Sequence, residues 1–208
     1  MQDLSYIIAM LGTAAFSIST VLSLRYDDVD IFAVLVFGTV SAVGGGTLRD
    51  IIMGQPVFWA HSMEYLMVAA VSSIIAFLIH SLLDKSYLYK TILYVDALAV
   101  AMFAVQATYK AWSLNFGLPV APIWMGVITA IGGGVIRDTL LQKKSLLLSK
   151  ELYAMPVMLG CMIFAITLVY LPEMVTLSAL LSIALIFFMR ILIIELNWQV
   201  PKWAMLRH

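Results

Sequence analysis

The sequence is short of charge. Asp, Glu, Lys and Arg make up only 12% of its 208 residues, where an ordinary soluble domain carries about 25%. Twelve Lys and Arg stand against twelve Asp and Glu, so no net field of one sign recruits nucleic acid or an acidic partner. There is one cysteine, which excludes an internal disulfide; the apolar setting of Cys161 (LGCMIFA) reads as a small buried hydrophobe. The three histidines, His61, His80 and His208, are scattered without ligand spacing, so no metal site is expected. No Walker sequence or Cys/His pairing occurs, and GGGTLR departs from G-x-G-x-x-G at its last position and opens no βαβ unit. Nothing nominates a nucleophile, and the expectation is a non-enzyme without a cofactor.

What the chain does have is apolar length. Hydrophobic residues make up 63% of it, and the mean hydropathy is +1.02. That is more than the core of a soluble domain this size can hide. A helix needs about 20 apolar residues to cross the hydrocarbon layer. Seven stretches qualify: 4–24, 31–52, 65–83, 91–112, 119–141, 152–171 and 175–196. The expected fold is an all-α membrane protein. The start, MQDLSY, carries no basic region, so the first span reads as retained and not as a cleaved signal.

Lys and Arg in the connections set the orientation. One face collects Arg25, Lys85, Lys90, Lys143, Lys144, Lys150, Lys202 and Arg207, and the other only Lys110. The expected topology therefore has the N-terminus outside and the C-terminus in the cytoplasm. Trp59, Trp112, Trp124, Trp198 and Trp203 fall near proposed span ends, as an aromatic belt requires.

A shift of 88 residues superposes VFGTVSAVGGGTLRD (36–50) on WMGVITAIGGGVIRD (124–138), with seven of fifteen positions identical. Tyr6/Tyr94, Ala9/Ala97 and Tyr65/Tyr153 share the offset. The motif is the second span of three in each copy. Residues 1–88 and 89–172 then form two three-helix units, with 173–208 a seventh helix and tail. An odd number of spans per unit forces the copies to face opposite ways, which is the inverted-repeat plan.

Two readings of the glycine triplets Gly44, Gly45, Gly46 and Gly132, Gly133, Gly134 stay open. Each interior glycine costs about 1 kcal/mol of helix stability, so three together are expected to break or kink a span and form a pore hinge. The freed carbonyls, with the hydroxyls of Thr39, Ser41, Thr47 and Thr129, would then replace ion hydration. On this reading Leu at Gly45 and Gly133 abolishes transport with the fold retained. The other reading is close helix packing through small residues. Arg49–Asp50 and Arg137–Asp138 lie late in their spans, either as gate charges flanking a middle cavity or as side chains snorkelling to the interface. Asp96, five residues into the fourth span, serves cation attraction or proton coupling, or else pairs with Arg49 or Arg137. Arg190 and Glu195 are five apart, a poor same-face spacing, and read as snorkelling or touching a neighbour.

The paired GGGTLRDIIMGQPVFW and GGGVIRD segments on seven spans resemble the prokaryotic branch of the trimeric intracellular cation channel family. That family is also labelled as a bacterial putative glycine-transporter domain family. The resemblance implies a homotrimer in membrane lipid, each protomer with its own pore for potassium and other monovalent cations. It further implies that the triplets bend the second and fifth spans around that pore. By motif position it places function on Gly44–Gly46, Arg49, Asp50, Gly132–Gly134, Arg137 and Asp138. The rival reading is a secondary transporter of a small amino acid such as glycine, because inverted repeats suit alternating access.

Overall fold

The computed structural model describes residues 2–24, 29–79, 85–149 and 151–201. Arg25, Lys150, Lys202, Trp203, Arg207, His80 and His208 lie outside the described residues. Among the described residues eight α-helices follow in order: α1 (Gln2–Ser23), α2 (Ile31–Ile52), the single turn α3 (Phe58–His61), α4 (Glu64–Ile79), α5 (Lys85–Ser113), α6 (Ala121–Leu140), α7 (Ala154–Tyr170) and α8 (Val175–Glu195). Short 3-10 turns at Leu146–Leu148 and Pro172–Met174 precede α7 and α8.

Each of the seven expected spans falls on one helix, with 80–83 of the third outside the described residues, and local chemistry sets several ends. Asp30 caps α2, its Oδ1 accepting from the Ala33 N–H at 2.7 Å. Gly54 leaves α2 at φ +63°, and a proline stands in the first turn of α6. Five helices are long and apolar enough to cross a membrane on length and composition, whereas α4 and α7 are shorter apolar helices. Large apolar side chains face outward all around, including Phe32, Leu78, Leu181 and Phe188. In water this surface would be untenable; it suits a multi-pass membrane protein.

Packing follows the repeat. Helices α1, α2 and α4 pack on one another, and so do α5, α6 and α7. The two sets join first helix to first, α1 along α5, and second to second, α2 along α6. That pairing is what an inverted 3+3 repeat produces. The pairs α1/α6 and α2/α5 face each other across diagonals with little contact, so α1, α2, α6 and α5 form a four-helix ring. Helix α8 stands outside the repeat against α5 and α7.

Helix α5 is central because much of its buried surface is small. Ala97, Ala99, Ala101, Ala104, Ala107 and Ala111 are fully buried, letting neighbouring backbones approach without bulky side chains between them. Phe16 of α1 fills the middle of the ring, packed on Phe103 at 5.5 Å between ring centroids. Buried hydroxyls on these helices mostly bond to their own preceding turn, as Thr13 to Ala9 and Thr108 to Ala104.

Candidate functional site

Each motif helix ends in the same constellation. At the end of α2, Arg49 Nε donates to Asp50 Oδ1 at 2.8 Å, and both residues are buried. Asp50 Oδ2 accepts the backbone N–H of Phe58 at 2.9 Å, eight residues on. At the end of α6, Arg137 Nε donates to Asp138 Oδ1 at 2.8 Å, and Asp138 Oδ2 accepts the N–H of Leu146 at 3.1 Å. Phe58 and Leu146 are themselves 88 apart. The backbone repeats too, with Gln55 N–H on the Asp50 carbonyl and Lys143 N–H on the Asp138 carbonyl.

The partners reached across the ring differ. Arg49 Nη1 donates to Gln106 Oε1 of α5 at 2.7 Å, bridging the α2/α5 diagonal. Lys110, one turn further along α5, donates to Asp50 Oδ1 at 2.8 Å. The Arg49 guanidinium also lies 5.5 Å from the Phe58 ring centroid, and Trp59 donates to Thr47 Oγ1 at 2.9 Å. Outside this end opens a polar cavity of about 250 Å³ lined by Tyr6, Tyr65, Gln106, Tyr109 and Lys110.

At the other end Arg137 Nη1 donates to Ser19 Oγ of α1 at 3.2 Å, bridging the α1/α6 diagonal, and to Asp96 Oδ1 of α5 at 2.9 Å. Tyr153, the residue before α7, donates to Asp96 Oδ2 at 3.0 Å. Arg190 of α8 lies with its guanidinium 4.2 Å over the Tyr153 ring. Both ends of the four-helix ring are thus crossed by a buried arginine, and each arginine is held by the aspartate that follows it. Buried charges in such numbers are costly unless paired and hydrogen-bonded, and the bonds to Arg49 and Arg137 meet that demand.

Between the two ends the glycine triplets bring α2 and α6 into backbone contact. A Cβ at Gly45 would stand 2.1 Å from the Thr129 carbonyl oxygen, and one at Gly133 would stand 2.8 Å from the Ser41 carbonyl oxygen. The earlier glycines of the motif do the same inside each unit. A Cβ at Gly38 would meet Ser73 Oγ of α4, and one at Gly126 would meet Thr108 Oγ1 of α5 and Cys161 Sγ of α7.

Several expectations resolve against this geometry. The expected break does not occur: α2 and α6 run as unbroken helices through both triplets. The reason is that backbone contact between helices offsets a helix-propensity cost of about 1 kcal/mol per glycine. The hydroxyls are engaged mostly within their own helices. Thr47 and Thr129 donate to Val43 and Met125 of their own helices, Thr39 is half-buried, and Ser41 Oγ is buried without a hydrogen-bond partner among the described residues. The arginine–aspartate pairs do not snorkel, since all four residues are buried. Asp96 pairs with Arg137 and not with Arg49. Arg190 is wholly buried against its neighbours, whereas Glu195 is exposed and bonded to Lys90 and Tyr94.

Sequence reasoning missed Gln106, Ser19 and Tyr153, and took Lys110 only as a topology marker. A signal existed for some of them. Gln106 and Lys110 are one helical turn apart, and Tyr153 already lay on the repeat offset with Tyr65.

A family model described as "Glycine transporter" matches residues 6–81 and again 93–169, one match on each helix triplet. The chain is 33% identical to the UPF0126 inner membrane protein YadS of Escherichia coli K12 over 204 residues, covering 97% of both chains. It is 32% identical to the UPF0126 membrane protein YvgT of Bacillus subtilis, covering 94% of this chain and 95% of the relative. Among solved structures it superposes on a prokaryotic TRIC channel crystallised in 0.5 M KCl with TM-score 0.87 and 29% identity, covering 96% of this chain and all of the other. It superposes on the trimeric intracellular cation channel orthologue from Rhodobacter sphaeroides with TM-score 0.88 and 27% identity, covering 94% and 99%. The chain therefore belongs to the UPF0126 glycine-transporter family, and its fold is that of the prokaryotic trimeric intracellular cation channels.

Proposed function

We propose that this chain is a monovalent cation channel, selective for potassium over anions, that works as a homotrimer with one conduction path per protomer. It sits in the bacterial inner membrane with the N-terminus outside and the C-terminus in the cytoplasm. Residues 1–88 and 89–172 form its two inverted halves, 173–208 its added helix and tail, and it needs no cofactor. The path runs along the axis of the α1, α2, α6 and α5 ring. The observation that carries this reading is the pair of buried arginine–aspartate clusters crossing the two ends of that ring.

In the described state each arginine blocks a cation by its charge and by spanning a diagonal. Opening turns Phe16 off the axis and withdraws Arg49 from Gln106, and Arg137 from Ser19 and Asp96, while Asp50 and Asp138 keep hold of the Nε atoms. The path is then lined by the Gln106 oxygen at one end and the Ser19 hydroxyl at the other, neutral oxygens that can coordinate a cation. The triplets let α2 and α6 bend at their crossing as the ends move apart. Similarity to solved cation channels over nearly the whole chain supports the reading.

The test is purified protein in a planar bilayer under a potassium gradient. Reproducible unitary currents with a cation-selective reversal potential are expected. The printed description of the matching family favours a second reading, a carrier of glycine, in which an arginine–aspartate pair holds both ends of a zwitterion. Absence of current together with saturable glycine uptake into liposomes would establish that alternative and refute the channel.

A further inference from the structure

Arg190 is the largest fully buried side chain among the described residues. It sits on α8, outside the repeat. Its Nε, Nη1 and Nη2 atoms have no hydrogen-bond partner among the described residues. A guanidinium carries five N–H donors, and burying them unmade is expensive. The nearest carboxylate oxygen is Asp96 Oδ2, 4.0 Å from Nη2. That is too long for a hydrogen bond but close enough for strong attraction in a dry interior.

Asp96 currently serves two donors, Arg137 on Oδ1 and Tyr153 on Oδ2. Each carboxylate oxygen accepts two hydrogen bonds, so Oδ2 has room for another. Tyr153 holds both sides of this gap: its hydroxyl fixes Asp96, and its ring face carries the Arg190 guanidinium. A second arginine therefore waits beside the carboxylate that the first one occupies.

We propose that Arg190 is the alternate partner of Asp96. When Arg137 leaves the α5 carboxylate, Arg190 closes a gap of about 1 Å to reach charge-assisted bonding distance and takes its place. The exchange rests on the channel reading, in which Arg137 moves as this end opens. It keeps Asp96 from becoming an unpaired buried charge in the open state, whose cost would otherwise oppose opening. It also gives α8 control over one end only. The repeat counterpart of Asp96 is Ile8, and the carboxylate at the Arg49 end, Asp50, has Lys110 of α5 as its second cation.

Arg190 is thus a positioning residue, and three measurements test it. A structure of R137Q should show Arg190 Nη2 within about 2.9 Å of Asp96; a separation still near 4.0 Å overturns the proposal. Thermal unfolding of wild type, R137Q, R190Q and the double variant in detergent should be non-additive, the double losing clearly more than the sum because Asp96 then has no cation. Additivity overturns it. In bilayers R190Q should lower open probability about tenfold, the size of one lost charge-assisted hydrogen bond, with unitary conductance unchanged and partial rescue by R190K. Unchanged open probability overturns it. If R190Q does not accumulate, D96N/R190Q, which lacks the carboxylate to be served, must be recovered; its failure to accumulate also overturns the proposal. Should even wild type carry no current, the channel reading falls, while the R137Q structure and the unfolding cycle still decide the exchange.

Discussion

Replacing Gly45 by Ala puts a single methyl group where two helix backbones meet. The added Cβ would stand 2.1 Å from the Thr129 carbonyl oxygen, against an ordinary contact of 3.4 Å or more, with the Gly133 nitrogen at 3.1 Å as a second obstacle. Neither neighbour is a side chain that rotates away, so α2 and α6 must part by about 1.3 Å along that contact. Over-packing of this kind costs about 3 kcal/mol where backbone must move, which lowers the unfolding temperature by roughly 10 °C for a chain of this length. Gly133→Ala, with 2.8 Å to the Ser41 carbonyl oxygen, should lose about a third as much. Gly132→Ala meets the tip of Leu48 at 3.3 Å. That side chain yields, so up to about 1 kcal/mol of helix propensity is recovered and the variant should be neutral or stabilised. The assay is thermal unfolding of the three purified variants in one detergent. Equal shifts for Gly45→Ala and Gly132→Ala would refute the crossing-contact argument. The same geometry revises the hinge expectation for leucine: at Gly45 it should cost folding as well as transport.

Other outcomes are open to the same measurement. Asp50→Asn should destabilise by about 4 kcal/mol, because Arg49 and Lys110 lose a shared buried carboxylate. Asp138→Asn, which strands one cation instead of two, should cost less. Tyr153→Phe removes a hydrogen bond to the buried Asp96 carboxylate and should lower stability by about 2 kcal/mol; no change would show that the hydroxyl is idle. Lys90→Ala breaks only an exposed pair with Glu195 and should shift stability by less than about 1 kcal/mol.

The helices were legible in the sequence because the bilayer imposes a length on them. The expected 31–52 and the observed Ile31–Ile52 coincide, since Asp30 caps one end and Gly54 follows the other. Inversion was legible from an odd span count. The glycine triplets were legible as special but not in which sense. Propensity speaks of an isolated helix, whereas the triplets face another backbone that supplies the missing contacts. The charge network was only half legible. Arginine and aspartate adjacent in sequence announced themselves through repetition. Arg190 did not, although it shares with Ser178 and Ser182 an i+4 row of α8 that is buried, because a lone arginine late in an apolar span reads equally as snorkelling. Gln106 was marked only by its one-turn spacing from Lys110, since a neutral amide carries no sign of the arginine it receives.

One feature of the paired clusters bears on how this sequence can change length. Asp50 and Asp138 each reach the backbone N–H of the residue eight positions later. Each connection is therefore a closed ring measured from a buried carboxylate. A single inserted or deleted residue inside 51–57 or 139–145 would shift which N–H arrives at the carboxylate and leave a buried oxygen empty. These two surface loops should be as intolerant of indels as the helices they follow, and gaps among relatives should gather instead in connections that no buried side chain measures.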